Sequence, residues 1–135
     1  MHTTNYYNTL IEIADDCPIN SAEEPPLKGE DKSVARLQFE MILEHPYEYC
    51  SDDVIFGTFA ARNGLHGSLQ AEREQFFSKG QACLRASPLP KRYGWGVHHN
   101  AEGKVAIYPV DSEEYRRLAA DSGVQKVKAM RSKRS

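Results

Sequence analysis

Apolar residues along this chain change their spacing twice, and the changes mark out its elements. Residues 7–14 place Leu10, Glu12 and Ala14 against Ile11 and Ile13 in a stretch rich in β-branched side chains, the signature of a strand. Residues 15–32 hold Pro18, Pro25, Pro26 and Gly29 among polar residues and read as a long loop, a length that compact domains reserve for function or mobility. From Ser33 the period lengthens to that of a helix. Ser33 suits the N-cap, Val34, Leu37, Met41 and Ile42 form an apolar stripe, and His45-Pro46 ends it. A second helix is predicted over 51–63. The carboxylates of Asp52 and Asp53 suit its positive end, Ile55, Phe59 and Ala60 are its burial candidates, and Asn63-Gly64 stops it. A third, over 68–78, carries Leu69 and Phe76 and closes at Gly80.

Beyond Gly80 the alternation returns. Residues 82–87 read as a strand, 88–92 as a turn, 93–99 as a strand, 100–103 as a turn and 104–110 as a third strand. The run Asp111-Ser-Glu-Glu114 offers a capping-box start to a short helix through Ala120. A final strand covers 124–130, and 131–135 is a basic tail that frays. The order is strand, three helices, a three-stranded meander, helix, strand. It predicts an α+β fold: a single domain over 1–135 with an antiparallel or mixed sheet and helices packed on one face.

Composition narrows the class. A chain of 135 residues fits a single domain with a self-standing core. No apolar run approaches the ~18 residues of a membrane span, and the N-terminus lacks the basic start and apolar core of a secretory signal. Cys17, Cys50 and Cys83 are dispersed and odd in number, which argues against a disulfide framework and for a reducing, cytoplasmic setting. No membrane partner is expected. No element of the pattern sets an oligomeric state.

Charge is unevenly shared. Residues 1–75 carry 14 acidic and 5 basic side chains, and residues 76–135 carry 12 basic and 5 acidic, within a total of −2. The plain explanation is an acidic helical half lying over a basic sheet half. A nucleic-acid partner is disfavoured, because such binders usually present a net basic domain. An anionic small molecule remains compatible with a local basic cluster.

Alternation on strands sorts the candidate chemistry. Arg85, His98, Asn100, Lys104 and Tyr108, with Cys83 beside them, fall on one face if the register of the meander allows it. The leading expectation is a binding module for an anionic, phosphate-bearing ligand. Arg85, Lys91 and Arg92 would supply charge, His98 a switchable hydrogen bond, and Trp95 or Tyr93 a stacking wall, although Trp95 shares a face with the expected core. An enzyme is the alternative, with His98 as general base and Cys83 or Tyr108 nearby; a hairpin symmetric about Pro90-Lys91 would set Cys83 opposite His98. A third reading is an interaction module docking through the acidic N-terminal half. His98 and His99 are neighbours on a strand and point to opposite faces, so no metal site is expected from them. No P-loop, dinucleotide glycine fingerprint or nucleophile elbow is present, and no cofactor is expected. Gly96 is read as room for a large neighbouring side chain, with a cleft floor between Arg85 and His98 as the sharper alternative.

Three stretches carry a resemblance: the run from Lys79 through Leu84, Pro88-Leu-Pro-Lys-Arg-Tyr-Gly-Trp-Gly-Val-His98; the turn and strand Asn100-Ala-Glu-Gly-Lys-Val-Ala-Ile107; and Lys126-Val-Lys-Ala-Met-Arg-Ser-Lys-Arg134. With His2-Thr-Thr-Asn-Tyr6 and Asp16-Cys-Pro18 they resemble a family of small bacterial proteins of unknown function. The resemblance spans nearly the whole chain. It implies a bacterial, cytosolic, single-domain protein and assigns no catalytic or cofactor residue.

Overall fold

The N-terminal strand sits inside the sheet, between partners from the far end of the chain. The computed structural model describes residues 2–27 and 32–132. Its strands are β1 (Thr9–Glu12), β2 (Trp95–His99), β3 (Val105–Pro109) and β4 (Gln125–Lys128), in the order β3-β2-β1-β4. β1 pairs antiparallel with β2, Leu10 opposite His98, and parallel with β4, Leu10 opposite Lys126. β2 and β3 form a hairpin with His98 opposite Ala106. The sheet is therefore mixed, and the fold is α+β.

Five helices accompany it: α1 (Val34–Glu44), α2 (Ser51–Arg62), α3 (Gln70–Phe76), α4 (Pro88–Arg92) and α5 (Glu113–Ala120). Ser33 caps α1 as expected, its hydroxyl accepting from the Arg36 N–H at 3.2 Å. The buried stripe of α1 is rotated from the expected one. Ala35, Phe39 and Ile42 face inward with Gln38, while Val34, Leu37 and Met41 are only partly covered. In α2 the buried set is Val54, Phe56 and Ala60, and Phe59 stays 38 % exposed.

The expected strand over 82–87 and the turn over 88–92 are corrected. Residues Leu84–Ala86 form a 3-10 turn, and the Pro-Leu-Pro-Lys-Arg run that follows is α4. The physical reason lies in the prolines. Neither is asked for an N–H in the first turn of a helix, and Pro88 stands at the favoured first position. Ser87 completes the start, its hydroxyl accepting from the Leu89 N–H at 3.2 Å. The three-stranded meander is accordingly a two-stranded hairpin flanked by β1.

On one face of the sheet Ile11, Trp95, Val97, Val105 and Ile107 meet Phe39 and Ile42 of α1, Val54 of α2, and Leu84 and Leu89 from the turn and α4. A satellite cluster of Phe56, Ala60 and Phe77 joins α2 to the end of α3. The first part of the long loop, Ser21 to Glu23, is fastened over β2. The Glu23 N–H donates to the Tyr93 carbonyl at 2.9 Å, and the Trp95 indole N–H donates to the Glu23 carbonyl at 2.8 Å. Gly94 adopts φ +78 there, and a side chain on it would come within 2.9 Å of the Ser21 carbonyl oxygen.

α5 lies on the other face. Its Tyr115 ring occupies the space a Cβ on Gly96 would fill, and its hydroxyl accepts the Ile13 N–H at 3.1 Å. Gly96 thus makes room for a large side chain, and the alternative of a cleft floor between Arg85 and His98 is overturned because Tyr115 covers it. A Gly96→Ala substitution drives a methyl group into that ring. The expected loss is about 1–3 kcal/mol of unfolding free energy, read from the urea midpoint at unchanged m-value; an unchanged midpoint would show that the ring moves freely aside.

Candidate functional site

A group of three cations outside the described ion pairs sits where the start of α1, the last turn of α2 and α4 meet. A hollow of about 410 Å³ there is lined by Ser33, Val34, Arg62, Lys91, Arg92 and Tyr93, among others, with no carboxylate in its wall among the described residues. The short helix positions the cations. Ser87 and the two prolines start α4, Leu89 and Pro90 bury its inner side, and Lys91 and Arg92 fall on its last turn. The Tyr93 N–H closes that turn on the Leu89 and Pro88 carbonyls. Arg62 arrives from the end of α2. Among the described residues none of these three cations makes an ion pair, whereas Arg36, close by in sequence on α1, is held by Glu24 at 2.5 Å and Glu40 at 2.6 Å. Those two carboxylates raise the Arg36 pKa.

The described ion pairs do not follow the expected packing of an acidic half against a basic half. Lys32–Glu40, Arg36–Glu24 and Arg73–Asp53 lie within the acidic half, and Arg117–Glu113 within the basic one. Lys128–Asp15, at 3.4 Å, crosses between them. Asp52 is also spent internally, accepting from the Thr3 hydroxyl at 2.8 Å and from Thr4 through its N–H at 2.6 Å.

The other expected ligand residues are scattered. Arg85 leaves the 3-10 turn and donates from Nε to the Lys128 carbonyl at 2.7 Å, on the β4 edge of the sheet. His98 sits two strands away and on the opposite face from the helical core. The convergence of Arg85 with His98 is therefore corrected, because residues 82–87 are not a strand beside β2. Trp95 is 9 % exposed, stacked edge-on against Phe39 at 5.2 Å, and its N–H is already used, so the stacking wall it was to supply is absent. Cys83 does not face His98 either. Its sulfur lies 3.5 Å from the Tyr6 hydroxyl.

His98 and Tyr108 are brought together, through a residue the sequence reading missed. The Tyr47 hydroxyl lies 2.8 Å from His98 Nδ1 and 2.9 Å from the Tyr108 hydroxyl. Tyr47 is held at φ +60, a conformation rare outside glycine and often found where geometry serves a site. Burial, and then Tyr108, raise the Tyr47 pKa. Burial lowers the His98 pKa against the opposing pull of Asp121, so the imidazole is neutral at pH 7. Such a network can accept or hand on a proton but holds no ready base stronger than His98. The only signal for Tyr47 in the sequence was its place just after the helix-ending Pro46.

His99 points the other way, as strand alternation requires. Its ring is fully buried, packed edge-on against Tyr6 at 5.4 Å, and neither nitrogen makes a hydrogen bond of sound geometry. Burial pushes its pKa down to about 4 from 6.5, outweighing the nearby Thr9 and Val97 backbones. The consequence for stability has a definite sign. Above pH 6.5 the ring is neutral folded or unfolded. Between 6.5 and 4 the unfolded chain takes up the proton first, so stability falls with pH, by about 3 kcal/mol in full. His98, shifted the same way, adds to the slope. Chemical denaturation across this window, on the wild type and on His99→Phe, checks it. The variant is expected to lose most of the slope, and parallel curves would sink the assignment to His99.

Comparison with known proteins yields one positive result. No curated protein matches the chain, and no solved structure does. The model of a family of unknown function, DUF6157, matches residues 1–135. The match runs over β1, the capped helix α1, the double-proline α4 and the β2–β3 hairpin alike, and the chain belongs to that family.

Proposed function

We propose that the chain is a small binding protein for an anionic, phosphate-bearing ligand, and that the ligand sits in the hollow between α1 and α4. The observation that carries this reading is the set of Arg62, Lys91 and Arg92 around one concave wall that, among the described residues, holds no carboxylate. Unpaired cations held together repel one another, and an anion between them relieves that repulsion as well as making charge-assisted hydrogen bonds. Arg62 and Arg92 suit the planar, two-pronged grip that phosphate oxygens accept. The first turn of α1 adds the positive end of an 11-residue helix to the same wall. Tyr93 supplies a ring at the rim. Of the residues expected from the sequence, Lys91 and Arg92 stay in this site, and Arg62 replaces Arg85. The chain's overall charge of −2 makes the effect local rather than global. We also assign the chain to the cytoplasm, on the strength of three cysteines that stay free.

A second reading is kept by one observation, the Tyr47–His98–Tyr108 network. It supports an enzyme with His98 as general base and Tyr108 close by; Cys83 has no part in it. Turnover of an activated ester or phosphomonoester that vanishes in His98→Gln and persists in Cys83→Ser supports this reading, and a panel without turnover retires it.

A thermal-shift screen with pyrophosphate, nucleotides and sugar phosphates tests the first reading. At a hundredfold excess over Kd a ligand adds about 2.7 kcal/mol of stability. The shift is expected to shrink with added salt and to disappear in Lys91→Glu/Arg92→Glu, at a half-buried and an exposed position of the last turn of α4, with the ligand-free melting temperature checking that the variant folds. A protein whose melting ignores every anion in the panel removes the reading.

A further inference from the structure

The cationic hollow does not end at Arg62. A second hollow of about 360 Å³ adjoins it, and the two share Val34, Arg62, Ala86 and Pro88 as wall residues. The second in turn shares Phe59, Phe76 and Gln81 with a third, of about 490 Å³, beside the phenylalanine cluster. Three adjoining hollows therefore follow one another as a groove from Lys91 and Arg92, past the end of α2, to the end of α3.

Its chemistry changes along the way. In the middle, Ile55, Phe59, Phe76 and Ala82 present apolar surface. The polar side chains among them have placed donors within the protein. Ser87 donates to Gln38 Oε1 at 2.6 Å, Thr58 to the Val54 carbonyl at 2.7 Å, and Asn63 and Gln81 each donate at 2.8 Å, to the Phe59 and Phe76 carbonyls. A guest in the middle of the groove meets hydrocarbon and side chains that already donate within the protein, with Arg62 at the charged end. At the far end Phe59 and Phe76 lie ring to ring at 4.6 Å, and the one cation there, Lys79, shares the wall with Glu72. Net positive charge is thus confined to the Lys91 end.

We infer that this groove binds a single-chain amphiphile: a linear alkyl or acyl chain lying along Ile55, Phe59 and Phe76, with its phosphate or carboxylate head at Arg62, Lys91 and Arg92. The inference rests on the anion reading and names the class of ligand. An apolar trough joined to three cations without an ion pair among the described residues is complementary to a molecule with both parts, and only in part to a bare anion or a neutral hydrocarbon. Phe59, at 38 % exposure, is a large apolar side chain left open to solvent that such a chain would cover.

Calorimetric and NMR titration with ethyl, butyl, hexyl and octyl phosphate, below their micellar concentrations, tests the inference on the full chain. Affinity is expected to rise about twofold to fourfold per methylene, with shifts at Phe59, Phe76 and Ala82 that appear only with the longer chains. Lys91→Glu/Arg92→Glu is expected to weaken every member by a similar factor. Ala82→Trp, at an exposed position, plugs the trough and is expected to bring octyl phosphate back to the affinity of ethyl phosphate. Equal affinity across the series, or an Ala82→Trp protein that still prefers the octyl chain, overturns the inference and leaves the anion reading standing. If no member of the series binds, both fall. Octyl glucoside binding as tightly as octyl phosphate refutes the cationic head site, and a series flat in chain length beside tight binding of an acidic, hydrophobic peptide refutes the amphiphile.

Discussion

The fold depends on β1 keeping its place between β2 and β4. Thr9, Leu10 and Ile11 are buried to within 1 % on both faces of the sheet. Their backbone groups are shared between an antiparallel partner from residues 95–99 and a parallel one from residues 125–128. Removing β1 would leave β4 with no partner and strip cover from both layers. Loop closures that span most of the chain cost entropy before they return contacts. The segment before β1 is tied down accordingly. The Asp52 N–H, at the start of α2, donates to the Asn5 side chain at 3.0 Å, while its carboxylate takes hydrogen bonds from Thr3 and Thr4. The Asp52-Asp53 pair, read as a helix start, is that and also a clasp for the N-terminus. Asp53 accepts the Cys50 N–H at 3.1 Å and pairs with Arg73 at 2.9 Å.

This central strand also decides what the two histidines of β2 can do. Because β1 and β3 pair with both edges of β2, the row of Leu10, His98 and Ala106 lies on one face and the row of Thr9, His99 and Val105 on the other. One imidazole meets the Tyr47 phenol, which in turn meets that of Tyr108, and the reach of Asp121; the other meets an apolar interior and the edge of Tyr6. Burial lowers both pKa values, and only the former has partners that a proton could use. A buried ring with two unbonded nitrogens weakens the fold in acid without any evident local return, which makes His99 the most conspicuous cost in the core.

Much of the architecture was legible because it is written in local signals. The Ser33 cap, the Asp-rich start of α2, the Asn100–Gly103 turn, and the strand character of residues 7–14 and 104–110 each follow from a few adjacent residues, and each is present. What failed was nonlocal or ambiguous. Alternation over 82–87 is too short to separate a strand from a turn, and Pro-Leu-Pro suits a helix start as well as a bend. That single error carried the candidate site with it, since the pairing of Cys83 with His98 and of Arg85 with His98 assumed a hairpin there. The order of strands has no local signature at all, and neither has Tyr115 filling the space over Gly96 from nineteen residues away. Lys91 and Arg92 survived as candidates because their proximity to each other is a matter of sequence. Arg62 could not be found, since only the fold brings the end of α2 to them.

The same short helix explains why the groove has polarity. A strand and turn at 82–92 would have left Lys91 and Arg92 together at the tip of a hairpin. Instead Ser87 and two prolines fix a five-residue helix whose inner side, Leu89 and Pro90, is buried in the core and whose last turn is basic. Its Lys91 and Arg92 face the start of α1 across a wall that holds no acid among the described residues. The residues just before it, Ala82 to Ser87, run beside α2 and α3 and supply the apolar floor. Charge and hydrocarbon are thus placed in sequence order along one segment, and α2 runs alongside with Arg62 at the charged end and Ile55 and Phe59 further in. An acidic chain can therefore present a cationic site: among the described residues, Glu24 and Glu40 are bound to Arg36 rather than to the groove.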